Sequence, residues 1–355
     1  MDFLQEISVN LRNTGILLML CAIGSAGHAG ERKVRVETSD HFSVWASKVD
    51  GTDRRLIMTD PKRQITHTRI SPDMEWMTFS TYNNFGKNGL AIEDNNYANS
   101  ELCIMKLDGT EMRTIAGPVP GEINCNGSFS SDGKRIVFMS TRSGDGCLLY
   151  WYDMATGNIT KVPTPSALHV LSDPHEVKDR IIFPSRPEKR GESQAVWMMH
   201  TDGTDARQIS FPKKPENAPR EALLIGDYDC RMSPDCTTVS IFRNVGGAFH
   251  IVLLTVATGE EIDMTEPFFT SRNKTAEGVV DWSSDGRLMI FRHIALDHDG
   301  MAGVGLYVMR QDGSGRKKIT LAAGEFPHCQ PGFFPEGSGP QARIIYQTQK
   351  NPNFK

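Results

Sequence analysis

Short runs of alternating apolar and polar residues, interrupted by a polar residue and a glycine, recur along the chain. In a typical copy, VWASKVDGTDRRLI, the alternation leads into an Asp-Gly pair and resumes after it. A period of two predicts β-strands, and the pair predicts a tight hairpin because glycine adopts a positive φ without steric cost. Six such hairpins are predicted, at 44–57, 102–115, 149–162, 196–209, 251–264 and 306–319.

A second pattern alternates with these hairpins: a strand, a Ser-Pro-Asp or Ser-Ser-Asp turn, and another strand. Clear copies lie at 66–80, 125–140, 228–242 and 279–292, with degenerate copies at 175–185 and 330–347. Each period therefore holds four strands. The glycines of the hairpin turns are 46 to 58 residues apart, which is typical of a propeller blade. The sequence thus predicts an all-β fold, a six-bladed β-propeller of four-stranded antiparallel blades.

The order of the two patterns predicts how the ring closes. The repeats begin with an Asp-Gly hairpin and end with a pair of the second kind, so neither end completes a blade. We expect the segment at about 328–348 to pair with the hairpin at about 42–57 in one composite blade, which removes two exposed edges. Residues 30–355 then form a single propeller domain.

The composition fits a turn-rich globular protein. Of 355 residues, 39% are hydrophobic and 23% charged, which argues against a disordered chain. Lys and Arg total 39 against 43 Asp and Glu, a formal net charge of −4. Because there is no excess of basic residues, neither nucleic acid nor an anionic membrane surface is predicted as a partner.

The N-terminal residues predict export. Residues 15–24, GILLMLCAIG, form an apolar run too short to cross about 30 Å of hydrocarbon, so no transmembrane span is predicted. Arg12 precedes the run, and Gly27 and Ala29 occupy the small-residue positions of a cleavage site before Gly30. Residues 1–29 are interpreted as a signal peptide and the protein as periplasmic or secreted; the alternative is a buried N-terminal helix.

The cysteines beyond residue 29 fit no zinc-binding spacing. Buried free thiols are the favoured interpretation, and disulfide pairing, most directly between Cys230 and Cys236, is the alternative. The six residues concerned are Cys103, Cys125, Cys147, Cys230, Cys236 and Cys329.

The Ser-Pro-Asp turn, the hydrophobic strand and the Asp-Gly hairpin together resemble the WD-like repeat of the TolB propeller family over about 40–348. The resemblance implies a periplasmic or secreted six-bladed propeller of the kind used for binding a partner or ligand. TolB proper carries an α/β domain ahead of its propeller. Only about ten residues separate residue 30 from the first hairpin, so no counterpart of that domain is predicted.

The long connections between strands are predicted to share one face of the ring, opposite the short turns. Long loops on a rigid scaffold commonly carry binding residues, although they can also be tolerated insertions. The predicted connections are 82–100, 140–146, 185–194, 211–226, 265–277 and 294–305.

Polar residues lie four to six positions ahead of the turns of the second pattern, where the innermost strands enter the ring centre. They are His67, Asn124, Asn126, Asp227, Asp229, Glu277 and Gln330, with Asp281, His328 and the poorly aligned His175 nearby. Strand alternation predicts that 124 and 126, 227 and 229, and 328 and 330 project together in pairs. The set is interpreted as a ligand site at the channel mouth; the alternative is a solvated lining without a ligand.

A divalent cation at this mouth, calcium or a transition metal, is a further hypothesis. It would combine a histidine with an acidic or amide ligand: His67, His175 or His328 with Asp227, Asp229 or Gln330. No local ligand spacing supports it, so no cofactor is required.

Two function classes fit these observations. The first is a monomeric binding or scaffold protein for an envelope or extracellular protein, or for a glycan. The alternative is a propeller-fold polysaccharide lyase acting on uronic-acid polymers, or a related carbohydrate-active enzyme. A lyase needs a base and a positive group. Candidate bases are His67, His175 and His328; candidate cations are Arg69, Arg186, Arg220 and Arg231. The predicted mouth is rich in carboxylates and would repel a polyuronate, so binding is preferred.

Overall fold

The fold is described from a computed structural model of the 355-residue chain. The structure describes residues 42–60, 63–82, 97–165, 168–185, 193–213, 226–245, 249–265, 274–277, 280–296 and 305–350. The predicted signal peptide at 1–29 lies outside these residues. No helix in the described ranges is long and apolar enough to cross a bilayer.

The described residues form six four-stranded antiparallel blades, as the repeats predict. The chain begins with the hairpin β1 (Phe42–Lys48) and β2 (Arg55–Asp60). Blade 1 is β3 (Gln64–Ile70), β4 (Trp76–Tyr82), β5 (Glu101–Lys106) and β6 (Arg113–Ala116). Blade 2 is β7 (Asn124–Phe129), β8 (Arg135–Ser140), β9 (Leu148–Asp153) and β10 (Ile159–Lys161). Blade 3 is β11 (His175–Val177), β12 (Arg180–Ser185), β13 (Ala195–His200) and β14 (Arg207–Gln208).

The second half of the ring repeats this arrangement. Blade 4 is β15 (Gly226–Met232), β16 (Thr238–Asn244), β17 (Phe249–Thr255) and β18 (Glu261–Asp263). In blade 5 the innermost strand is in two pieces, β19 (Lys274–Glu277) and β20 (Asp281–Trp282), followed by β21 (Leu288–Leu296), β22 (Gly305–Arg310) and β23 (Lys317–Ile319). The last two strands are β24 (Glu325–Phe333) and β25 (Arg343–Lys350).

The composite blade predicted from the repeat order is confirmed. The order of strands in blade 6 is β24-β25-β1-β2, and β1 pairs antiparallel with β25 from Phe42 opposite Gln349 to Lys48 opposite Arg343. Trp45 Nε1 donates a hydrogen bond of 3.0 Å to the hydroxyl of Thr348 across this junction. The two ends of the chain thus close the ring within one sheet.

The hydrophobic core lies between neighbouring blades. Residues such as Phe42 of β1, Ile65 of β3 and Phe79 of β4 are fully buried in one cluster shared by blades 6 and 1. Equivalent clusters fill the other gaps between blades, because each sheet is apolar on both of its faces. The described cysteines lie in or against these clusters. All five are free thiols: Cys103, Cys125, Cys147, Cys230 and Cys236.

The short turns adopt the backbone that the sequence predicts. Gly51, Gly109 and Gly203 of the Asp-Gly hairpins have φ near +90°. In the hairpin of blade 3 the turn is also tightly packed, since a Cβ atom added to Gly203 would lie 1.7 Å from the carbonyl oxygen of Pro163.

We therefore expect Gly203→Ala to destabilise the protein more than Gly109→Ala, which changes a glycine with φ +90° and no neighbouring atom within 4 Å. The control substitution isolates the backbone cost, about 1 kcal/mol, and the clash at Gly203 adds about 1–3 kcal/mol. Urea unfolding of the two variants measures the difference. Equal losses would contradict the close packing at Gly203.

The topology places the short turns and the long connections on opposite faces. Antiparallel order puts the β3–β4 and β5–β6 type turns at one end of each blade and the β4–β5 and β6–β7 type connections at the other. Most residues of the predicted long connections lie outside the described ranges. We call the end with these connections the long-connection face.

Candidate ligand site at the ring centre

Four buried polar side chains from four blades meet at the ring centre. Arg69 on β3 and Arg231 on β15 donate hydrogen bonds to Asp173 Oδ2, with N–O distances of 3.2 and 2.7 Å. Arg69 also donates to Gln330 on β24, and Arg231 Nη2 lies 3.4 Å from Gln330 Oε1. These residues come from blades 1, 3, 4 and 6, so their contacts join opposite blades across the ring centre. We call Arg69, Asp173, Arg231 and Gln330 the central cluster.

The charges of the central cluster stabilise one ionised carboxylate. Burial alone would raise the pKa of Asp173, but the positive charges of His67, Arg231 and Arg69 outweigh it and lower that pKa below its ordinary value. Two guanidinium groups therefore share one carboxylate at the cluster. The centre is not the carboxylate-dominated mouth that the sequence suggests, because the arginines lie within it.

β-Bulges in the innermost strands set the direction of the side chains around the cluster. The β3–β4 register shifts between Thr66 and Arg69, and His67 within this bulge has φ +54°. Asn126 occupies the matching place in β7, with φ +58°. A bulge re-aims the side chain of the extra residue. His67 consequently lies with Nε2 3.4 Å from Asp173 Oδ1 and Nδ1 2.8 Å from the Thr66 hydroxyl.

A small cavity lies between the central cluster and the long-connection face. Its volume is about 30 Å³, enough for one or a few water-sized groups. Polar groups of His67, Asn126, Ser172 and Asp229 line it. Its aromatic lining consists of Tyr97, which follows blade 1's second strand, and of Tyr228, Phe242 and Phe249 of blade 4. The cavity is therefore polar at its base and aromatic on two sides.

Asp229 is the unusual polar group of this cavity. Its side chain is fully buried, and neither carboxylate oxygen has a hydrogen-bond partner. Burial, followed by the negative charge of Asp173, raises the pKa of Asp229 to about 8, against the lowering effect of Arg231 and Arg69. The backbone N–H of Asp173 lowers this pKa only slightly, since it does not have hydrogen-bond geometry toward either oxygen. The carboxyl is thus largely protonated near neutral pH.

The prediction that Asp227 and Asp229 project together is wrong. The β15–β16 register shifts between these residues, so the alternation of the strand is interrupted. Asp227 instead accepts hydrogen bonds from Arg243 at 2.6 and 3.2 Å, and Arg243 in turn binds Glu261. Burial raises the pKa of Asp227 even though this ion pair opposes the shift. Asp227 is therefore part of an ion pair within blade 4 and does not line the cavity.

Asn124 and Asn126 are separated for the same reason. Asn126 lines the cavity, whereas Asn124 Oδ1 accepts hydrogen bonds from the Ser140 hydroxyl at 2.8 Å and from Arg142 at 3.0 Å. The β7–β8 register shifts between Cys125 and Ser128. The pair therefore does not project together.

His175 and Asp281 have structural contacts below the cavity. His175 Nδ1 accepts the backbone N–H of Met232 at 3.1 Å, and burial, followed by the charges of Arg231 and Arg69, lowers its pKa well below the usual value. Asp281 Oδ2 accepts the backbone N–H of Phe333 at 2.8 Å, which links blades 5 and 6. Neither residue is among those that line the cavity.

Several predicted residues are not covered by the structure. The side chains of Glu277 and His328 lie outside the described residues, as do Arg186 and Arg220. The proposed 328 and 330 pairing therefore stays a prediction. In the described part of the chain, no group of three or more His, Cys, Asp and Glu side chains is arranged to hold a metal ion. Of the candidate cations of the sequence analysis, Arg69 and Arg231 are the two in the central cluster.

Asp173 is the central residue that the sequence analysis did not identify. Blade 3 lacks the Ser-Pro-Asp turn, so its innermost strand could not be aligned from that motif. In the structure Val177 pairs with Arg180 and occupies the position that the turn serine has in other blades. Asp173 lies four residues before Val177, just as His67 lies four residues before Ser71 in blade 1. The apolar run of β12, which aligns with that of β4, is the signal that would have revealed this.

Comparison with known proteins relates the chain to propellers through structure. No family model matches the chain, and no sequence among the curated proteins matches it. A protein from Agrobacterium tumefaciens assigned as TolB superimposes with a TM-score of 0.60 at 12% identity, covering 87% of this chain and 98% of that one. TolB from Acinetobacter baumannii gives a TM-score of 0.56 at 12% identity and covers 89% of this chain; the match spans 65% of the Acinetobacter protein.

A third similar structure belongs to a protein that is described as an enzyme. XC5397 from Xanthomonas campestris, described as a gluconolactonase, gives a TM-score of 0.52 at 12% identity and covers 87% of this chain and 96% of that one. At 12% identity these likenesses concern the fold alone. The described part of the chain has a TolB-like six-bladed β-propeller fold.

Proposed function

We propose that this protein is an exported binding protein that holds a protein or glycan partner at its long-connection face, with the central cavity as part of the site. The observation that carries the proposal is the partly aromatic cavity on the long-connection side of the central cluster. The central cluster joins blades 1, 3, 4 and 6 across the ring centre and holds the strands that line the cavity in place. A partly aromatic cavity on the face of a scaffold that carries its long connections is a common form of binding site.

Exposed apolar residues on the same face support the proposal. Val119, Phe211 and Val245 all lie in connections of the long-connection face, and Phe211 is 66% exposed. Exposed apolar side chains on the face that carries the cavity favour contact with a partner.

The alternative, a polysaccharide lyase, receives less support from the same contacts. A lyase needs a cation that reaches the substrate and a base that is free to accept a proton. Arg69 and Arg231 are buried and bound to Asp173 and Gln330, and His175 Nδ1 accepts a backbone N–H. These groups hold the blades together, which favours a binding role over catalysis.

Site-specific photo-crosslinking tests the proposed function. A benzophenone amino acid is placed at Phe211 or Val245 on the long-connection face, and at Met74 or Met112 near the short turns as exposed controls. We expect crosslinked products in cells that make the protein from positions 211 and 245 only, and recovery of the protein outside the cytoplasm. Products confined to positions 74 and 112, or retention in the cytoplasm, would contradict the proposal.

A further inference from the structure

The central cavity presents a buried carboxyl group without a hydrogen-bond partner. Asp229 is fully buried, lines the cavity, and has no partner for either oxygen. Leaving such a group unpartnered costs about 1–3 kcal/mol, so a ligand group that forms a hydrogen bond with Asp229 would gain this stabilisation. Because the cavity lies on the long-connection side of the central cluster, such a group would enter from that face.

The charges around Asp229 restrict what that group is. Arg69 and Arg231 already share a single ionised carboxylate, Asp173, so a further cation would add to an existing positive excess. An anion would lose its hydration in the cavity without gaining a cation partner, because Arg69 and Arg231 are bound to Asp173 and Gln330 and neither lines the cavity. A neutral hydroxyl avoids both costs, since it donates to an ionised carboxylate and accepts from a protonated one.

The cavity lining restricts the rest of the ligand. Phe242 and Phe249 stack with ring centroids 4.6 Å apart and nearly parallel, and Tyr228 packs against Phe249 edge to face at 5.9 Å. On the opposite side Tyr97 contacts Tyr82, ring to ring, at 4.6 Å. Aromatic side chains can pack against the C–H groups of a hydroxymethyl group, while carboxyl and amide groups such as those of Asp229 and Asn126 can bind its hydroxyl.

We propose that the cavity binds the hydroxyl-bearing end of a neutral sugar, with Asp229 as the main hydrogen-bonding group and the aromatic residues as walls. About 30 Å³ admits a hydroxyl or hydroxymethyl group but not a whole ring, so the remainder of the sugar would lie outside the cavity. The inference rests on the proposed binding function and assigns its ligand class.

The test compares the binding of sugars that have the same kind of ring but are neutral, anionic or cationic. D-glucose, D-galactose and D-mannose are the neutral probes, D-glucuronate is the anionic probe, and D-glucosamine at about pH 6 is the cationic probe. Saturation-transfer NMR and calorimetry up to about 50 mM ligand report binding, because a monosaccharide with few contacts is expected to bind with a Kd on the order of 1 mM. We expect at least one neutral sugar to bind about tenfold more tightly than both charged probes.

Substitutions at two nearby residues distinguish binding in the cavity from an effect on blade 4 as a whole. Asp229→Leu should weaken neutral-sugar binding at least about tenfold, which corresponds to about 1.4 kcal/mol. Asp229→Asn retains the shape and one acceptor and should weaken it less. Asp227→Asn, two residues away but bound to Arg243, should bind like the wild type.

Three outcomes would overturn the inference: no neutral sugar binds, a charged probe binds more tightly than its neutral counterpart, or Asp229→Leu and Asp227→Asn bind alike. If sugars fail while crosslinks still form at positions 211 and 245, the binding function stands with a protein partner and a water-filled cavity. If crosslinks fail while sugars bind, the ligand assignment stands without a macromolecular partner.

Discussion

Asp229→Asn is expected to stabilise the protein, and the gain should grow as the pH rises. The folded pKa of Asp229, about 8, lies above its value of about 3.9 in an unfolded chain. The folded state therefore keeps a proton that the unfolded chain releases, so the wild type loses stability between about pH 4 and pH 8. Asparagine does not titrate. We expect similar stabilities near pH 4 and a difference of about 2–5 kcal/mol near pH 8 in favour of the variant.

Urea unfolding at several pH values between about 4 and 8 measures this difference. Asp145→Asn, which removes an exposed carboxylate far from the centre, is the control and should follow the wild-type profile. Parallel profiles for wild type and Asp229→Asn would show that Asp229 ionises normally in the folded protein. The result bears on the ligand site as well, because a stable Asp229 variant makes a loss of binding interpretable.

Asp173→Ala is expected to cause the opposite effect, a loss of about 3–5 kcal/mol, because it leaves two buried guanidinium groups without their shared carboxylate. Arg231 has a side chain only 1% exposed, so water cannot replace the lost partner. The same change removes contacts between opposite blades. Thermal and urea unfolding both report the loss.

Asp227→Ala is the matched control for this experiment. It also removes a buried aspartate bound to an arginine, but Arg243 keeps two hydrogen bonds to Glu261, at 2.6 and 2.8 Å, and remains partly exposed. We expect a loss of about 1–2 kcal/mol, clearly smaller than that of Asp173→Ala. Losses of equal size would show that the central cluster is no more important to stability than an ordinary ion pair within one blade.

The fold was predictable because its signals are local. The Asp-Gly turns require positive φ, which Gly51, Gly109 and Gly203 adopt, and each turn fixes a hairpin without reference to distant residues. The composite blade followed from counting, since the repeat order left unpaired strands at both ends. In the structure Trp45 lies opposite Tyr346, so even this pairing across the whole chain was implied by the arrangement of short motifs.

The ring centre was less predictable because its geometry depends on bulges and on contacts between distant blades. His67, Asn126, Asp229 and Gln330 were identified as central from their distance to the turns, and the structure brings them there. The direction of Asp227 could not be foreseen, since a one-residue bulge reverses the alternation on which the expectation depended. The hydrogen bonds from Arg69 and Arg231 to Asp173 join residues that are 104 and 58 positions apart in the chain, and no sequence motif predicts these contacts.

The composite blade also sets the order in which the protein can be completed during synthesis. β1 pairs with β25, whose residues are translated about 300 positions later, so at about 5–20 residues per second the first hairpin waits about 15–60 s for its neighbour. During this time the β1 edge is unpaired, and the last gap between blades is open. A chain released or stalled before β25 therefore exposes a strand edge that a second incomplete chain can pair with, which makes truncated forms the species most prone to aggregate.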